Sequence, residues 1–103
     1  MELKEIIQRA KEIQKTYKLY NEKNSQKEWG ATEYTQGLVG DVGDLMKLVM
    51  AKNGLRNAEN IDEKLAHELA DCLWSIIIIA EEFNIDLEKS FFATMAEVEK
   101  KIK

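Results

Sequence analysis

Apolar residues recur at helical spacing along almost the whole chain, and no proline interrupts them. Leu3, Ile6, Ile7, Ala10, Ile13, Tyr17 and Tyr20 trace one face of a first helix, with lysines and glutamates on the other. No segment alternates with a period of two over a useful length. The run SIIIIA (Ser75–Ala80) is rich in β-branched residues, yet it lies within a long 3.6-periodic stretch without turn signals. Periodicity therefore overrules its strand propensity.

The polar stretch NEKNSQKEWGATEY reads as a loop, with Thr32 as N-cap of the next helix. A second helix is expected from about Glu33 to Lys52, with Leu38, Val42, Leu45 and Val49 turned inward. Gly54 suits the position just past its C-terminus. Asn60 followed by Glu63 resembles a capping box opening a third helix, which runs to about Phe83. Asn84 breaks it, and Asp86 caps a fourth helix built on Leu87, Phe91, Met95 and Val98. The expected fold class is all-α: a single four-helix bundle-like domain over residues 1–103.

A chain of 103 residues can bury one core but not two. Its net charge of -4 argues against a nucleic-acid polymer as partner, which calls for a basic face. The single cysteine, Cys72, cannot close an internal disulfide, which points to a reducing compartment. The N-terminal MELKEIIQRAKEIQK has charges throughout and no apolar signal-peptide core. The longest apolar run, Ile76 to Ala80, falls far short of the roughly 20 residues of a membrane span. A cytoplasmic protein without a membrane partner is expected.

Two acid pairs stand out. Asp41 and Asp44 lie in GDVGDL, and Glu68 and Asp71 in HELADCLWSIIII. At about 100° per residue, Asp71 sits near −60° from Glu68, while Leu65, Leu69, Cys72, Ile76 and Ile79 gather around +60°. Asp41 and Asp44 bear the same relation to the Leu38–Val49 stripe. Four carboxylates beside apolar stripes repel one another in a medium of low dielectric unless something positive meets them. No lysine or arginine on those faces can neutralise all four, whereas a divalent cation can. Oxygen ligands without a Cys/His constellation favour Mg²⁺, or Mn²⁺, over zinc. The plainer alternative is a pair of solvated helix edges.

The pattern LVGDVGDL, then 23 residues between Asp44 and Glu68, then ELADCLWSIIIIAEEFNIDLEKSF resembles the MazG-like all-α nucleoside triphosphate pyrophosphohydrolases. The resemblance runs from about Trp29 to the C-terminus, and the ELAD and NIDLEKSF blocks are its most specific parts. It implies a MazG-type fold that assembles as a homodimer or homotetramer. It also implies Mg²⁺-dependent cleavage of a nucleoside triphosphate between the α- and β-phosphates, giving the monophosphate and pyrophosphate. By position, Asp41, Asp44, Glu68 and Asp71 become the metal ligands and catalytic acids. Two departures are plain. The family usually has glutamates where this chain has Asp41 and Asp44. Of the Lys, Asn and Arg/Lys set that many relatives carry on the last helix to contact substrate, Thr94 and Val98 stand at the first two positions, leaving Lys101.

Trp29, in the loop just before the helix that bears the first acid pair, could stack on a nucleobase or plug the end of the bundle. Lys52 and Arg56, with Lys47 pointing further away, could meet phosphates. His67 and Cys72 read as surface and core residues, and Met46, Met50 and Met95 as packing. Gly40 and Gly43 suggest a close helix approach beside the acids. Trp74 and the isoleucine run make the third helix apolar on nearly all sides, which suggests a homodimer interface. The leading function is thus a nucleotide pyrophosphohydrolase. A non-hydrolytic nucleotide-binding module comes second, and a ligand-free helical assembly domain third.

Overall fold

A computed structural model describes residues 2–102, and among them there are four helices and no strand. They are α1 (Leu3–Lys23), α2 (Ala31–Lys52), α3 (Ile61–Glu82) and α4 (Leu87–Ile102). The all-α expectation holds, and each expected helix exists. None of the four is long and apolar enough to cross a membrane.

Three helices stop in the same way. The N–H of Ile85 donates to the carbonyl of Ala80 and that of Asn84 to Glu81, with Asn84 at φ 55°. The N–H of Leu55 likewise donates to Met50 and that of Gly54 to Ala51, with Gly54 at φ 78°. At the end of α1 the pairs are Gln26 to Asn21 and Ser25 to Glu22, with Ser25 at φ 54°. In each, one residue turns left-handed and two backbone donors satisfy carbonyls that the helix leaves open. Gly54 and Asn84 do what their types predict. Ser25 is the less expected member.

The helix starts differ more from expectation. Asp86 caps α4: its Oδ1 accepts from the Lys89 N–H at 3.1 Å. Thr32, however, lies inside α2. The helix is capped two residues earlier, at Gly30, whose N–H donates to Glu33 Oε1 at 2.7 Å. A Glu at the third position reaching back to the N-cap amide replaces the expected threonine cap. Asn60 precedes α3 with φ 52° rather than in the extended conformation of a capping box.

Residues Trp29–Ile76 form one compact unit, and the segments before and after it form the other. In the second of these, α1 meets the last turn of α3: Gln14 Nε2 donates to Glu82 Oε1 at 3.0 Å, and Lys11 Nζ lies 3.6 Å from Glu81. Ala10, Ile77, Ile78 and Ala80 are buried there, and Ile78 has no exposed surface at all. α4 is amphipathic but has no buried residue, and Phe91, Met95, Val98 and Ile102 are exposed along it.

The Trp29–Ile76 unit is a helical hairpin of α2 and the larger part of α3, joined by residues 53–60. Tyr34 meets Trp74, Asp41 and Asp44 meet Glu68, and Lys52 meets Asp62, so the helices run antiparallel. Leu38, Asp41, Leu45 and Leu48 on α2 are half-buried, as are Leu65 and Glu68 on α3, and Cys72 is buried. Here the expected inner stripes are corrected: Val42, Val49, Leu69 and Ile76 are exposed. The contact line runs closer to the acids than the apolar pattern alone indicates. Val39, Val42, Met46 and Val49 on α2, and Leu69, Leu73 and Ile76 on α3, all lie about 80–160° around from the first acid of their helix. Both helices are right-handed and antiparallel, so these stripes share one face of the hairpin. They form an open apolar surface on the side away from Asp44 and Asp71.

The isoleucine run does not form one exposed surface, because Ile77 and Ile78 are buried within the chain. Gly40 and Gly43 also depart from expectation, since a Cβ built at either meets nothing within 4 Å. It is Gly37 that packs, with the Trp29 ring 3.5 Å from its added Cβ. With open space at Gly43, Gly43→Ala should stabilise the protein by roughly 0.5–1 kcal/mol through helix propensity. The midpoint of chemical denaturation reads this, and a lowered midpoint would mean that another chain fills the space.

Candidate metal centre

Asp41 lies two helical turns beyond Tyr34 on α2, with Asp44 one turn further, and antiparallel pairing sets Glu68 of α3 opposite them. One oxygen from each of Asp41, Asp44 and Glu68 lies within 4.8 Å of the other two. Asp41 and Glu68 are half-buried and Asp44 is exposed. Burial pushes the Glu68 carboxyl above its usual range. The charge of Asp41, a carboxyl–carboxyl hydrogen bond with Asp41, and the charges of Asp44 and Asp71 push it the same way.

Oxygens on opposite sides of a Mg²⁺ ion are about 4 Å apart, twice the usual metal–oxygen distance. Three carboxylate oxygens within 4.8 Å are a donor set that could hold a hard divalent cation. Zinc sites draw mainly on Cys and His, and the nearest cysteine, Cys72, is buried with its thiol pushed up. Burial is the main cause, followed by the charges of Asp41, Glu68 and Asp71. This agrees with its reading as a core residue.

Asp71, the fourth expected ligand, stands outside the three-residue set. Its Oδ2 lies 3.1 Å from Nε2 of His67, one turn earlier on α3. The i,i+4 spacing that brings these two together was readable in the sequence. His67 also lines a cavity of about 410 Å³ beside the acids. Asp44, Lys47 and Leu48 of α2 form one wall, and Glu63, Lys64, His67 and Glu68 of α3 the other. Glu63 and Lys64 did not figure among the candidate residues. Their spacing from His67 and Glu68 places them on the right side of α3, but only the pairing with α2 turns that side into a wall. Lys47, whose helical phase points away from Asp44, lines the same cavity as Asp44 and Glu68.

The remaining candidates are dispersed. Lys52 is engaged with Asp62, Nζ to Oδ1 at 2.6 Å. Arg56 is exposed in the α2–α3 connection. Lys101 belongs to the last turn of α4, in the other unit. Trp29 packs edge-on against Tyr34, centroids 5.5 Å apart, and Tyr34 in turn against Trp74 at 5.7 Å. Tyr34 is buried at the centre of this set, while Trp29 keeps 45% of its surface exposed. It thus combines the packing role with an open ring. Trp74, half-buried, is engaged within the chain.

No family model, curated protein or solved structure matches the chain.

The raised Glu68 carboxyl has a consequence for stability. Its folded-state pKa lies above its unfolded one, so the folded form is favoured in acid and that contribution is lost as pH rises through the folded value. Near neutral pH the cluster therefore destabilises the metal-free protein. Asp41→Asn removes the largest charge acting on Glu68. In the presence of a chelator it should raise the melting temperature at pH 7, with the gain vanishing near the ordinary carboxylate range of about pH 4. A scanning-fluorimetry series across pH would show this; a pH-independent gain would contradict it.

Proposed function

We propose that the protein is a Mg²⁺-dependent nucleotide pyrophosphohydrolase of the MazG-like kind, cleaving a nucleoside triphosphate to the monophosphate and pyrophosphate. The reading is carried by the convergence of Asp41, Asp44 and Glu68 from two antiparallel helices, with oxygens within 4.8 Å. The resemblance of LVGDVGDL and ELADCLWSIIIIAEEFNIDLEKSF to that family adds the reaction. Mg²⁺, or Mn²⁺, would be held by these three residues, with Asp71 as the fourth acid. When bound it supplies charge neutralisation for phosphate oxygens and acidifies water.

The protein's own groups do the rest. Water attacks the α-phosphorus, the bond from that phosphorus to the α,β-bridging oxygen breaks, and pyrophosphate leaves with that oxygen. A carboxylate of the set accepts the water's proton. Trp29, 45% exposed, would stack on a base. The apolar face shared by Val39, Val42, Met46, Leu69 and Leu73 supports homo-oligomer assembly, since a second copy would cover it. One observation favours the second reading, a nucleotide-binding module without turnover: Asp71 is engaged by His67 rather than gathered with the other acids.

Native protein with Mg²⁺ should release pyrophosphate and monophosphate from members of a panel of canonical and modified NTPs and dNTPs. Glu68→Gln should lose at least about 100-fold, since even outer partners of metal ligands commonly account for 10–100-fold. Saturable nucleotide binding without product, under Mg²⁺ or Mn²⁺, would establish the binding module instead.

A further inference from the structure

Helix α4 is formed but hardly packed. Every residue from 89 to 102 is exposed, and the helix has no buried residue. A helix of 16 residues gains little from its own hydrogen bonds in water and ordinarily depends on burying an apolar face. Phe91, Met95, Val98 and Ile102 supply such a face, and all four are exposed. Their spacing of four, three and four residues is that of a coiled-coil seam. Phe92 flanks it, its ring edge-on to Phe91 with centroids 5.7 Å apart.

Charge decides what covers this face. Glu88, Glu97 and Glu99 balance Lys89, Lys100 and Lys101. The helix therefore lacks the lysine- and arginine-rich side that holds an amphipathic helix on an anionic lipid surface. Its ends differ in sign instead. Asp86 caps the helix and Glu88 lies in its first turn, with Lys89 the exception, while Lys100 and Lys101 occupy the last turn. An antiparallel helix of the same sequence matches both properties. Setting Phe91 opposite Ile102 also sets Met95 opposite Val98, so all four seam residues of each copy are covered at once. Asp86 and Glu88 of one copy then lie near Lys100 and Lys101 of the other, and the helix dipoles oppose. A parallel pair would place Glu88, three residues before Phe91 on the same seam, against its own copy, and would bring the lysine ends together.

We propose that α4 is a self-pairing surface: two copies of the chain associate through antiparallel α4 helices, with Phe91 facing Ile102 and Met95 facing Val98 across a two-fold axis. The contact uses none of the residues of the hairpin's apolar face. Each is a surface that pairs with its own copy, and a chain that uses both builds assemblies larger than a dimer. Neither a metal nor a nucleotide enters the α4 contact, so it stands apart from the hydrolase reading.

The test uses the full chain and disulfide cross-linking, the native Cys72 being buried. Phe91→Cys and Ile102→Cys proteins are mixed under reducing conditions, oxidised, and run on a non-reducing gel. The mixture should give at least about tenfold more linked dimer than either variant alone. In the antiparallel pair the two copies of position 91 lie roughly 16 Å apart along the axis, beyond the reach of a disulfide. A chelator should leave the yield unchanged. Met95→Glu combined with Val98→Glu should lower the mass of the assembly about twofold in sedimentation. Equal cross-linking by each variant alone would overturn the antiparallel pairing, and no cross-link in any sample would overturn the contact. So would an unchanged mass for the Met95/Val98 double variant. Native protein that sediments with phosphatidylglycerol vesicles, and loses this in the double variant, would assign the face to a lipid surface instead.

Discussion

Repulsion between carboxylates across the α2–α3 hairpin is the constraint on which the rest of this structure turns. Asp41 and Asp44 come from one helix and Glu68 from the other, and antiparallel packing holds them within 4.8 Å. A hairpin seam is ordinarily closed by apolar side chains. Here its middle is occupied by acids, of which two are half-buried, and burial and charge together raise the Glu68 carboxyl. The arrangement opposes folding at neutral pH unless a proton or a cation intervenes. A feature that weakens the metal-free fold in this way suits a ligand site better than a packing solution.

Around that seam the hairpin is two-sided. One side carries the exposed apolar stripes of α2 and α3, and the other carries the cavity with its lysines, glutamate and histidine. The division follows from helix geometry. Each acid pair and each stripe is offset to opposite sides of the contact line, and antiparallel pairing of two right-handed helices brings like sides together. An acid cluster and an open apolar face can then coexist in a short hairpin. Aromatic packing of Trp29, Tyr34 and Trp74 closes the end nearest the start of α2, and the Lys52–Asp62 pair lies near the opposite end.

Most of the fold was legible in the sequence because helices announce themselves by periodicity and by a few terminal residues. Gly54, Asn84 and Asp86 act as their residue types dictate. Ser25 was not legible as a terminator, since serine has no strong preference for the left-handed conformation. The Gly30–Glu33 cap was missed because Thr32 offered a more ordinary alternative two residues later. Of the candidate site, Asp41, Asp44 and Glu68 follow from spacing, since a helix fixes which residues share a side. What spacing could not give was the register between helices. That register makes walls of Lys47, Glu63 and Lys64, and exposes Val42 and Leu69 where an inward stripe was expected. Asp71 has the same helical phase as Asp44, but a local partner, His67, engages its carboxylate.

The central claim is that the acid set is a seat for one kind of divalent cation, and Mn²⁺ binding followed by electron paramagnetic resonance tests it most directly. Native protein should titrate at a saturable site that Mg²⁺ competes for and that is lost in the Asp41→Asn, Glu68→Gln double variant. Absence of saturable binding, or binding that survives both substitutions, would contradict it and leave the three carboxylates as a structural feature without a ligand.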